Sequence, residues 1–122
     1  MSGNTRGPNG AELGQDPLAG VERREGVTIV HLQGELDLYN AGAVREALFA
    51  CCSERPQRLV IDLSEVKFVD STALGVLIEA STRLDGGAFV LAAPGLETRR
   101  ALEISGLDRH FSVVATVDEA LA

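Results

Sequence analysis

Between residues 59 and 80 the chain reads LVIDLSEVKFVDSTALGVLIEA, and the change of hydrophobic period inside this stretch restricts the fold more than any other feature. Leu59, Val60, Ile61 and Leu63 form a short run rich in β-branched residues, interrupted by Asp62, which suits a central strand covered on both faces. From Ser71 onward the period becomes helical: Leu74, Leu77, Ile78 and Leu84 recur on one side, and Ala73, Val76 and Ala80 widen it. A short acidic turn is expected between strand and helix. Asp70 stands one residue before the helical pattern, where an N-cap belongs. Ser71 therefore falls in the first helical turn, where backbone N–H groups lack intrahelical acceptors and the helix dipole is positive. A phosphate on its hydroxyl would be accommodated there without unfolding the helix.

The rest of the chain extends this pattern into an α/β alternation. Residues 17–24 read as a weak strand, Glu25-Gly26 as a turn, and residues 27–33 (VTIVHLQ) as a strand, so a hairpin opens the fold. Alternation puts Val27, Ile29 and His31 on one face and Thr28, Val30 and Leu32 on the other. Gly34-Glu35-Leu36-Asp37 is expected as a loop and residues 40–52 (NAGAVREALFACC) as a helix, with Val44, Ala47, Leu48 and Cys51 at apolar spacing. Asp85-Gly86-Gly87 stops the helix begun at Ser71. Residues 88–92 (AFVLA) are a further strand, residues 96–105 a helix closed by Gly106, residues 111–114 an edge strand and residues 117–121 a last helical turn. Such an order implies a largely parallel sheet after an antiparallel opening. Residues 1–16, rich in Gly, Asn, Ser and Pro with almost nothing apolar, read as a flexible tail ahead of one domain over residues 17–122.

Composition narrows the partners. The formal charge of −7 argues against nucleic acid, because phosphate backbones demand clustered Lys and Arg, whereas Arg23-Arg24 and Arg99-Arg100 are isolated pairs on solvated faces. Aromatic residues are sparse, so the core must be aliphatic. No apolar run approaches the roughly 20 residues of a membrane span, and no basic region followed by a hydrophobic segment marks a signal peptide, so a cytoplasmic protein is expected. The adjacent Cys51 and Cys52 have neither CxxC spacing nor neighbouring ligands and read as reduced structural thiols.

Residues that could carry chemistry are few. Glu35 and Asp37 are carboxylates of the type used for general acid and base work, yet no nucleophile or cofactor grip accompanies them. The glycines form neither GxxxxGK[ST] nor GxGxxG. His31 has no second His, Cys or clustered carboxylate near it in sequence, and reads as a strand-surface histidine. Ser71 is an ordinary residue for a helix start; local sequence makes it permissive for phosphate and goes no further.

Three blocks in order, Gly34-Glu35-Leu36-Asp37 before a helix, then IDLSEVKFVDSTALGVLIEA, then ALEISGLDRHF, resemble the anti-sigma factor antagonist family, whose fold is the STAS domain (sulfate transporter and anti-sigma factor antagonist). The resemblance covers residues 17–122. It implies an α/β STAS fold: a mixed, mostly parallel sheet of about five strands with about four helices, packed mainly on one face. It further implies that the serine after the Asp of the helix-opening motif, here Ser71 after Asp70, is phosphorylated by a partner that is both anti-sigma factor and ATP-dependent serine kinase. The unphosphorylated antagonist binds that kinase and releases the sigma factor, and a serine phosphatase resets it. By the same resemblance Asp37, Asp70, Ser71, Thr72, Ala73 and Gly75 belong to the partner-binding surface, with no catalytic residue, metal ligand or cofactor. One departure is visible: Ala73 stands where glycine is common. Alanine favours the helix and is tolerated unless a partner's backbone approaches there. A STAS subunit of a transport complex and a scaffold in a sensory assembly are the competing readings; the serine after Asp70 favours the antagonist.

Overall fold

In the computed structural model, residues 16–122 are described; the tail expected over residues 1–16 lies outside them apart from Asp16. Five strands and four helices follow one another along the described residues: β1 (Leu18–Arg24), β2 (Val27–Leu36), α1 (Ala41–Ser53), β3 (Arg58–Val69), α2 (Ser71–Arg83), β4 (Ala88–Ala92), α3 (Leu96–Ser105), β5 (Ser112–Val114) and α4 (Val117–Leu121). The strands lie in the sheet in chain order, β1 antiparallel to β2 and every later pair parallel. This is the mixed, mostly parallel sheet that the alternation implies.

Period-2 alternation divides the core. Val30 and Leu32 of β2, Leu59, Ile61 and Leu63 of β3 and Leu91 of β4 meet Val44 and Leu48 of α1, Leu74 and Leu77 of α2 and Leu102 of α3 on one face. On the other face Ile29, Val60, Val90 and Ala92 meet Ala120 of α4. Three helices thus cover one face and the short C-terminal helix covers part of the other, as expected. Cys52 donates its thiol to the Ala80 carbonyl at 3.4 Å, joining α1 to α2. Both cysteines are free and buried, and burial raises their thiol pKa values, which keeps them protonated and inert.

Two boundaries differ from the sequence reading. Gly34, Glu35 and Leu36, expected in a loop, continue β2, and the expected acidic turn after Leu63 is the second half of β3. The cause is the partner strand. Gln33, Gly34, Glu35 and Leu36 pair in parallel with Glu65, Val66, Phe68 and Val69, with register shifts that let twelve residues of β3 run beside ten of β2. Val66 and Val69 supply the buried anchors while Glu65, Lys67 and Phe68 face outward, a pattern that charge content alone disguises as a turn.

Candidate functional site

Because β2 and β3 are parallel and Leu36 is in register with Val69, the two chains leave the sheet side by side, Asp37 next to Asp70, at the carboxyl ends of the central strands. In open α/β sheets this is where loops gather to meet ligands and partners. The Asp70 backbone N–H donates to the Leu36 carbonyl at 3.0 Å.

Asp70 caps α2 as its position predicts. Its extended backbone (φ −100°, ψ 179°) turns the side chain back onto the helix, and Oδ1 accepts the N–H of Ala73 at 2.9 Å. Its second oxygen, Oδ2, accepts the N–H of Leu38 in the β2–α1 loop at 3.0 Å. One carboxylate therefore holds the helix start and the neighbouring loop together.

Asp37 organises that loop from inside. Its Oδ1 accepts the N–H groups of Tyr39 at 3.0 Å and Asn40 at 3.3 Å. Asn40 answers with Oδ1 accepting the Asp37 N–H at 2.9 Å and Nδ2 donating to the Glu35 carbonyl at 2.7 Å. The Asp37 carboxylate thereby holds the turn through one oxygen, which accepts two backbone N–H groups.

Ser71 is the first residue of α2 and is exposed, and its hydroxyl makes no hydrogen bond to the described residues. Thr72 is exposed and Gly75 half-buried. Ala73 is 3% exposed, so its side chain belongs to the core and its contribution to this surface is the N–H held by Asp70. Of the first-turn N–H groups, that of Ala73 is taken, leaving those of Ser71 and Thr72 at the positive end of the helix.

Around these residues lies apolar surface that the sequence reading did not single out. Leu38 is 64% exposed, Tyr39 92% and Phe68 47%, all beside the carboxyl ends of β2 and β3. A groove of about 490 Å³ runs between α1 and α2, lined by Leu38, Gly42, Thr72 and Gly75 and bounded by Arg45 and Glu79, which pair at 3.1 Å. A visible signal existed: Leu38-Tyr39 is a large apolar pair standing between a strand and a helix, in neither hydrophobic period.

A mostly parallel sheet, with three helices on one face and α4 on part of the other, thus carries at its rim an exposed serine behind a capping aspartate. The STAS domain family matches residues 19–120, and the chain belongs to the STAS-domain anti-sigma factor antagonist family. It is 36% identical over 102 residues to the anti-sigma-F factor antagonist RsfB of Mycobacterium tuberculosis, covering 83% of this chain and 84% of that one. It is 40% identical over 80 residues to the anti-sigma-B factor antagonist of Listeria monocytogenes, covering 64% of this chain and 70% of that protein. Among solved structures, an anti-sigma factor antagonist from Mycobacterium paratuberculosis superposes with a TM-score of 0.79 at 38% identity, covering 84% and 88% of the two chains. These relatives are regulatory binding proteins rather than enzymes.

Proposed function

We propose that the chain is an anti-sigma factor antagonist whose rim around Ser71 docks on an anti-sigma factor that is also a serine kinase, and that phosphorylation of Ser71 ends the complex. The observation that carries this reading is the position of Ser71: a hydroxyl without a hydrogen-bond partner among the described residues, at the exposed first residue of a helix whose cap is supplied by the residue before it. The unmodified chain binds the kinase and frees the sigma factor, and a serine phosphatase restores the hydroxyl. The protein works in the cytoplasm without touching nucleic acid. Among the described residues no helix is long and apolar enough to cross a membrane.

Phosphorylation adds roughly −1.5 to −2 charges and three acceptor oxygens. The helix dipole and the N–H groups of Ser71 and Thr72 accommodate that charge in the fold. Asp70 and Asp37 sit beside it, and the apolar rim of Leu38, Tyr39 and Phe68 would have to be desolvated against a dianion in any complex. A loss of about 3 kcal/mol weakens such a complex more than a hundredfold. Partner contacts come from Asp37, Asp70, Ser71, Thr72 and Gly75, with Ala73 setting the helix start from within.

The test is incubation with the ATPase-fold kinase encoded nearest to this chain and ATP, followed by mass-spectrometric mapping. Phosphate on Ser71, abolished in Ser71→Ala, is the expected result. Phosphate on Thr72 alone, or tight binding of Ser71→Asp to that kinase, overturns it.

A further inference from the structure

His31 stands where the sheet loses regular pairing on both sides. Toward β1 it faces Gly20, and the ladder slips before Leu18; toward β3 it faces Asp62, and the ladder slips before the next pair, Gln33 with Glu65. At this point the imidazole spans three strands. Nδ1 lies 2.6 Å from Asp62 Oδ2 and Nε2 lies 2.6 Å from Glu22 Oε1. A ring nitrogen without a proton cannot donate, so with both carboxylates ionised the two contacts are both hydrogen bonds only when the ring is an imidazolium.

The carboxylates are themselves held. Asp62 Oδ1 accepts the N–H of Ser64 at 3.0 Å, inside the bulge where Leu63 and Ser64 of β3 stand opposite Leu32 of β2. Glu22 Oε2 accepts from Arg24 at 3.2 Å. The charged groups around the ring are thus Glu22 and Arg24 from β1 and Asp62 from β3. Asp16, just before β1, has its carboxylate on the Leu18 N–H and its carbonyl on the Gln33 side chain, and the same-face neighbours within β2, Ile29 and Gln33, are uncharged. The sequence hides this cluster because its members lie nine and thirty-one positions from His31.

We propose that Glu22, His31 and Asp62 form a proton-dependent clasp: protonated His31 fastens edge strand β1 to the sheet and fixes the Ser64 bulge of β3, and neutral His31, with one N–H left to donate, holds only one of the two at a time. Where backbone pairing is interrupted, the side-chain bridge replaces it. With a neutral ring, one of the two 2.6 Å contacts sets a lone pair against a carboxylate, so the bridge opens at β1 or at β3. Burial alone would lower the His31 pKa; the hydrogen bonds to Glu22 and Asp62 outweigh it and raise the value above the ordinary 6.5. The clasp therefore stays closed at mildly acid pH and opens on the alkaline side of that value. It rests on residues away from Ser71, and so stands or falls independently of the phosphorylation reading.

The test combines two NMR measurements on the unmodified chain between pH 5.5 and 9.5 (roughly one pH unit below to three above an ordinary histidine). The His31 ring protons give its titration, assigned apart from His110. Amide exchange of Glu22 and Arg24, whose N–H groups face β2, and of Ser64 is followed as a ratio to that of Val90 in β4, which cancels the common hydroxide dependence. The expected result is a His31 midpoint above 6.5 and a fall of about tenfold (1.4 kcal/mol) in the protection ratio across it. In His31→Gln the ratio no longer depends on pH, and Glu22→Gln moves the His31 midpoint down. A midpoint at or below 6.5, or a ratio unchanged through the titration, overturns the proposal.

Discussion

Asp70 accepts the backbone N–H of Leu38 at 3.0 Å across thirty-two positions of sequence, while its other oxygen caps the helix that Ser71 begins. Removing the side chain in Asp70→Ala releases two backbone donors at once. The expected loss is about 1–2 kcal/mol of folding stability, read from urea denaturation with an unchanged m-value. Asp70→Asn keeps an acceptor at the cap and loses less, and in both variants the Leu38 and Tyr39 amide resonances move.

Ser71→Asp tests whether charge is tolerated by the fold and refused by the partner. Aspartate in the first helical turn is favourable by about 0.3–1 kcal/mol, so the melting temperature stays the same or rises slightly. Titration calorimetry against the kinase should show binding weakened by more than about a hundredfold, the equivalent of roughly 3 kcal/mol, while Ser71→Ala still binds.

Two glycines separate surface from packing. A Cβ built on Gly75, inside α2, meets nothing within 4 Å, so Gly75→Ala should stabilise the chain by about 0.5–1 kcal/mol through helix propensity. The same methyl narrows the groove between α1 and α2 and should weaken kinase binding. A Cβ on Gly87 would stand 2.5 Å from the Pro56 carbonyl oxygen, so Gly87→Ala should cost about 1–3 kcal/mol in denaturant melts and leave binding by the folded fraction unchanged.

The clasp also fixes the sign of the pH dependence. The raised pKa of His31 contributes stability that is complete below 6.5 and is lost as pH rises through the folded-state value. Glu22, through its hydrogen bond to His31 and then Arg24, is lowered from 4.5. Asp62 is lowered from 3.8, since the Ser64 and His31 hydrogen bonds outweigh the opposing effect of burial. Their contributions are present above those ordinary values and disappear as pH falls through the lowered ones. Denaturation midpoints should therefore plateau between 4.5 and 6.5 and decline on the alkaline side, and His31→Gln should flatten that decline.

The order of elements, the two-sided alternation of β2 and the cap at Asp70 were legible because each depends on neighbours within a few positions. The second half of β3 was not: SEVKFV has the charge of a turn, and only its pairing with Gln33–Leu36 makes it strand. Asp37 and Asp70 could be named from the resemblance, but their joint hold on the Leu38–Asn40 loop arises from parallel register between positions far apart. His31 read as isolated for the same reason, since both of its carboxylates arrive through strand pairing.

The commitment of both Asp70 oxygens to backbone N–H groups also bears on the chemistry proposed at Ser71. Neither oxygen hydrogen-bonds the adjacent hydroxyl, and the Asp37 carboxylate is turned to its own loop. Among the described residues the Ser71 hydroxyl has no hydrogen-bonded acceptor for its proton, so under the phosphorylation proposed above the general base is expected from the kinase. If Ser71 is modified as proposed, ATP without the kinase should leave it unmodified.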